Sequence, residues 1–75
     1  MLKYIVIQPN VFEYMVLIHP LLSHADTAKG YGGNCIAAGF VKDGVCYGRS
    51  DSLDIESRGE LDEELYKELM EFGKI

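Results

Sequence analysis

The run Ala37-Ala38-Gly39-Phe40-Val41-Lys42-Asp43-Gly44-Val45-Cys46-Tyr47-Gly48-Arg49-Ser50 decides the fold. Asp-Gly between two strand-like runs is the strongest short-range hairpin signal, because a type I′ turn needs positive φ at both central positions. A two-residue turn also fixes the register. It predicts strands over 34–42 and 45–50 with Lys42 facing Val45, Val41 facing Cys46, Phe40 facing Tyr47, Gly39 facing Gly48 and Ala38 facing Arg49. Phe40 and Tyr47 become a cross-strand aromatic pair. Ala37, Gly39, Gly48 and both cysteines fall on the opposite, small-residue face. That face admits close approach by a helix carrying Ala25 and Ala28, by an aromatic of another subunit or by a flat ligand ring.

Working toward the N-terminus, Ser23-His24-Ala25-Asp26 opens a short helix: Ser23 is the N-cap, Asp26 sits at the third helical position, and Gly30 is placed to stop it. Before it, Phe12 to Ile18 alternates until Pro20 and is apolar on both faces. Such a strand is central in a layered fold or covered by another subunit. Leu2 to Gln8, rich in Ile, Val and Tyr and ended by Pro9-Asn10, is the first strand.

Toward the C-terminus, 52–56 alternates as a short edge strand or extended connection. Ser57 and Glu60 form a second capping box. Leu61, Leu65, Tyr66, Leu69, Met70 and Phe72 then recur at helical spacing with Asp62, Glu63, Glu64, Lys67, Glu68 and Glu71 opposite, closed by Gly73. The expected architecture is one α+β domain over 1–75, ββαββα, an antiparallel sheet of two hairpins with a short helix and a C-terminal amphipathic helix.

Seventy-five residues make a small core, and small domains commonly gain stability from disulfides, metals or self-association. In the hairpin register Cys35 lies six residues, or roughly 20 Å, from the partner of Cys46. A bridge needs Cα atoms within about 7 Å, so an internal disulfide is excluded. Two Cys and two His show no paired ligand spacing, so no metal or other cofactor is expected. Self-association is left, and a homo-oligomer is the expectation. With no secretory leader ahead of the cysteines, a reduced cytoplasmic protein is expected. No apolar run approaches the ~20 residues of a membrane span.

The net charge of −5 is unevenly placed, for nine of the twelve acids lie in residues 51–75. That balance argues against a nucleic-acid polymer as partner, since Lys and Arg supply phosphate contacts. The candidate site is where polar side chains and bare amides gather: Ser23, His24 and Lys29 on the short helix, then Gly30, Tyr31, Gly32 and Gly33. A helix N-terminus favours anions. No G-x-x-x-x-G-K-[ST] or G-x-G-x-x-G is present, so nucleotide hydrolysis is not indicated. Arg49, Ser50 and Arg58 add guanidinium and hydroxyl groups suited to phosphate or carboxylate, unless the neighbouring acids claim both arginines. Tyr31 or Tyr47 would stack on a base. Nothing holds His19, His24, Cys35 or Cys46 as a nucleophile–base pair, so a non-enzymatic protein is expected.

Ser23-His24-Ala25-Asp26, Ala38-Gly39-Phe40, Tyr47-Gly48-Arg49-Ser50-Asp51-Ser52-Leu53 and Ser57-Arg58, in that order, resemble small uncharacterised proteins encoded by tailed phages and prophages, over roughly residues 23 to 65. The resemblance implies an accessory protein of the host cytoplasm and transfers no catalytic residue. By analogy with other phage proteins of this size, the resemblance implies a role against host defence, either by sequestering a nucleotide signal or by binding a defence protein. The first expectation is therefore a homo-oligomer that sequesters a small anionic, nucleotide-like ligand between subunits. The alternative is an inhibitor that sets its acidic C-terminal helix, with Glu63, Glu64 and Glu68, against a basic protein surface.

Overall fold

The structure, a computed structural model, describes residues 1–32 and 34–73. The elements in chain order are β1 (Leu2–Ile7), β2 (Tyr14–Ile18), α1 (His24–Gly30), β3 (Cys35–Lys42), β4 (Val45–Tyr47), β5 (Arg49–Ser50), β6 (Ile55–Glu56) and α2 (Glu60–Phe72). Four strands form an antiparallel sheet in the order β2-β1-β3-β4, and β5 and β6 form a separate two-stranded ribbon. The fold is α+β.

At the turn, Asp43 and Gly44 both take positive φ, 51° and 78°. Lys42, Val41 and Phe40 pair with Val45, Cys46 and Tyr47, as the turn dictates. The expected pairings Gly39–Gly48 and Ala38–Arg49 do not form. Gly48 has φ 81°, a left-handed conformation that ends the β4 strand and redirects the chain. Arg49 and Ser50 then pair with Glu56 and Ile55 in the ribbon instead.

The central strands are β1 and β3, so the doubly apolar β2 is an edge strand and starts only at Tyr14. Tyr4, Ile5 and Val6 of β1 are wholly buried because both sheet faces are covered. One face carries Tyr4, Val6, Met15, Ala37, Val41 and Cys46 under Leu65, Tyr66 and Leu69 of α2. The other carries Ile5, Ile7, Ile18 and Ala38 under Ala28 of α1 and Leu53 and Ile55 of the ribbon. The result is three layers, with the sheet in the middle.

The two cysteines do not share a face. A register shift between Val6 and Ile7 moves Cys35 to the α1 side, while Cys46 stays under α2. Both are free thiols. Nor does a helix fill the space at Gly39. A Cβ there would run into the Tyr47 carbonyl oxygen and come within 3.1 Å of the Ser57 Cβ, so the segments after the hairpin occupy it. Gly30 belongs to α1 rather than ending it. Tyr31 is the C-cap, followed by Gly32 at φ 84°.

The second capping box is absent. Gly59, at φ 62°, is the N-cap of α2 and no side chain caps it. Ser57 Oγ instead accepts a hydrogen bond from Gly59 N at 3.0 Å and donates its own proton to Tyr4 Oη at 2.6 Å, since the single Tyr4 hydroxyl proton goes to Asp62. Asp62, expected on the solvated face, is completely buried, whereas Leu61 and Phe72 of the expected apolar face are exposed.

Candidate functional site

The structure separates the ten sequence-derived candidates into three places. Ser23, His24, Lys29, Gly30, Tyr31 and Gly32 stay together on α1 and the turn after it. Ser23 Oγ accepts from Asp26 N at 3.2 Å and its carbonyl from Thr27 N at 3.2 Å and Thr27 Oγ1 at 3.0 Å. With Asp26 itself in the first turn, the positive end of this seven-residue helix is already answered from within. His24 is buried, and its Nε2 donates to the Gly39 carbonyl at 2.8 Å. A carbonyl only accepts, so this nitrogen carries the proton. Lys29, Tyr31 and Gly32 are exposed, and Gly33 lies outside the described residues.

Tyr47 belongs to a second group. Its ring lies 6.0 Å from Phe40, and Phe40 meets the His24 ring edge-on at 5.5 Å. This row joins the hairpin to α1. Past Gly48, Ser50 is buried, its Oγ accepting from Leu53 N at 3.3 Å inside the ribbon. Arg49 reaches Asp51 at 3.3 Å, Glu56 at 3.7 Å and Asp54. All these side chains are largely solvated, so the pairing is worth about 1 kcal/mol or less.

Arg58 lies on the other side of the sheet in a polar cluster that sequence reasoning missed. Its Nε donates to Asp62 Oδ1 at 2.7 Å, its backbone N to Asp62 Oδ2 at 2.8 Å, and its Nη1 pairs with Glu13. The Tyr4 hydroxyl completes Asp62 at 2.5 Å. Burial and then the Asp62 carboxylate hold the Tyr4 phenol well above its ordinary pKa. Burial alone would lower the Arg58 guanidinium, but Glu13 and Asp62 outweigh it and raise its pKa. Burial, followed by Asp62 and Glu63, pushes the Cys46 thiol up to about 11. Cys46 is accordingly a protonated thiol packed in the core beneath α2. The available signals were the i,i+4 spacing of Arg58 and Asp62 and the lone hydroxyl of Tyr4 in an aliphatic strand.

Among the described residues no ligand-sized cleft opens, no three His, Cys, Asp or Glu gather to hold a metal, and no helix is long and apolar enough to cross a membrane. The open chemistry is on the outer side of α2. Leu61, Glu64, Glu68 and Phe72, spaced three, four and four residues apart, form one exposed stripe about 16 Å long. Leu61 and Phe72 at its ends are 61% and 79% exposed, and Glu71 lies beside it. Glu63 is different, since its Oε2 accepts from Cys46 N at 3.1 Å. Comparison with protein-family models, curated proteins and solved structures finds no match for this chain.

Proposed function

We propose that this protein is a non-enzymatic, phage-type accessory protein that binds another protein through the outer face of α2. The observation that carries this reading is the α2 stripe, in which two exposed apolar residues bracket a row of glutamates. Apolar side chains that can be desolvated supply affinity, while charges around them steer encounter and select a complementary, here basic, surface. Charge alone would only solvate the helix. The apolar ends make the stripe a surface of defined length.

The ligand-sequestering alternative draws less from the geometry. It relies on Arg49, Ser50, Arg58 and His24, and each already has an internal partner. Lys29 and the exposed tyrosines are what it retains.

Affinity capture with purified protein, followed by identification of retained proteins and native mass spectrometry for retained small molecules, tests the choice. A Glu64→Gln/Glu68→Gln/Glu71→Gln variant should lose a partner that wild type and Arg49→Ala both keep, and rising salt should weaken the complex. Glu63 is left alone because it supports β4. Retention of the same partner by the triple variant, or loss of an intact small anion on Arg49→Ala, overturns the reading.

A further inference from the structure

We propose that two copies of this chain pair through β2 to form one continuous eight-stranded antiparallel sheet with a two-fold axis at Val16. This is independent of the α2 surface, which lies on a sheet face and not at its edge.

The β2 edge is open in a way natural edges seldom are. Edge strands are normally blunted with lysine, proline, bulges or very short length, yet Tyr14–Ile18 contains no charge and no proline and pairs with β1 in unbroken register. Alternate backbone N–H and C=O groups of an antiparallel edge strand point away from its neighbour and need partners. The opposite edge is handled differently, for β4 has three residues and stops at left-handed Gly48.

What fits the β2 edge is β2 itself. With Val16 on the axis, paired positions sum to thirty-two. Tyr14 of one copy then lies opposite Ile18 of the other, and Met15 opposite Leu17, with no like charges facing each other. The flanks match as well. Val11, Phe12, Leu21 and Leu22, which lie in the bend before β2 and the turn after it, are 81%, 63%, 88% and 57% exposed. Each chain thus carries exposed apolar residues at both ends of β2, and antiparallel pairing sets one chain's leading end on the other's trailing end. A standard interface buries about 800 Å² per partner, roughly one-sixth of this chain's 4970 Å². The segment 11–22 holds several of the chain's most exposed hydrophobic residues.

Sedimentation velocity at micromolar concentration should give a species of twice the 8.4 kDa chain mass. Phe12→Glu and Leu21→Glu, at exposed side chains that the fold does not use, should keep the circular dichroism spectrum and sediment as single chains. A Val16→Cys variant, which sets the two new thiols opposite each other on the axis, should oxidise to a disulfide-linked dimer on a non-reducing gel, while wild type should not. A single-chain wild type, a dimer that survives both glutamate variants, or a dimeric Val16→Cys variant that fails to cross-link would each overturn the pairing.

Discussion

Replacing Asp62 by alanine should remove a large share of the stability of this domain. The carboxylate is fully buried and receives three donors, Tyr4 Oη at 2.5 Å, Arg58 N at 2.8 Å and Arg58 Nε at 2.7 Å. Removing one partner of a buried charged pair costs about 3–5 kcal/mol; here the Tyr4 hydroxyl, Arg58 N and Arg58 Nε lose their acceptor, while Glu13 keeps the guanidinium only partly compensated. At 0.05–0.15 kcal/mol per residue, a 75-residue domain has about 4–11 kcal/mol in total. With a urea m-value of about 1–1.5 kcal/mol/M for a chain this small, the midpoint should fall by about 2–5 M. Several outcomes in that range leave the variant unfolded in buffer. Urea titration followed by far-UV circular dichroism measures it, with Glu64→Ala, an exposed acid on the same helix, as the comparison within about 0.5 kcal/mol of wild type. Tyr4→Phe removes one hydrogen bond to a charged acceptor and should cost about 1.5–3 kcal/mol. In the Asp62→Ala background the same change should cost far less, since its acceptor is gone. If Asp62→Ala lies within 1 kcal/mol of wild type, the buried cluster is not what fastens α2 to the sheet.

Three further outcomes follow from other contacts. Cys46 is a neutral thiol whose pKa rises on folding from 9.0 to about 11, so its contribution is fully present below pH 9 and is lost as the pH climbs toward 11; the raised Tyr4 phenol acts in the same direction at higher pH. Denaturation midpoints measured from pH 7 to 11 should decline above 9, and Cys46→Ala should flatten the first part of that decline. Gly39→Ala places a methyl against the Tyr47 carbonyl and Ser57, and thermal melts should show a loss of about 1–3 kcal/mol. Ser23→Ala removes the acceptor for Asp26 N at the α1 cap and should cost about 1 kcal/mol by the same measurement, with the helix retained.

What was legible in the sequence was what is decided within a few residues. Two adjacent left-handed positions are a local demand, and Asp43-Gly44 meets it; the Ser23 cap is a contact across three residues. The helical period of 61–72 likewise identified α2 and three of its core residues, Leu65, Tyr66 and Leu69. Asp62 was misplaced because periodicity sends every carboxylate to solvent, whereas this one is held by a hydroxyl 58 positions away on β1. Gly48 misled for a related reason. Glycine within a strand signals either close approach of another backbone or a bend, and the spacing alone does not choose; at Gly39 the structure takes the first option and at Gly48 the second. Among the candidate residues, residue type was readable but occupancy was not. Arg58 sits 45 residues from Glu13, so no local pattern shows that its guanidinium is engaged.

That engagement also bears on where this chain meets its surroundings. A sheet of four strands covered on both faces by one helix and a seven-residue helix with a ribbon has little apolar area to spare, and it joins its layers with polar groups: His24 to Gly39, Arg58 and Tyr4 to Asp62, Glu63 to Cys46. Buried polar groups that are fully partnered fix one arrangement of the layers but are thereby withdrawn from other chemistry. The side chains best suited to ligand recognition by type are in this way the ones least free to perform it. The exposed side chains include Lys29, Lys42 and Lys67, but the apolar and acidic ones gather in two places: the edge and flanks of β2, and the stripe from Leu61 to Phe72. On the reading proposed here, recognition by this protein would be surface contact with other chains, its own copy at the β2 edge and a basic partner at α2.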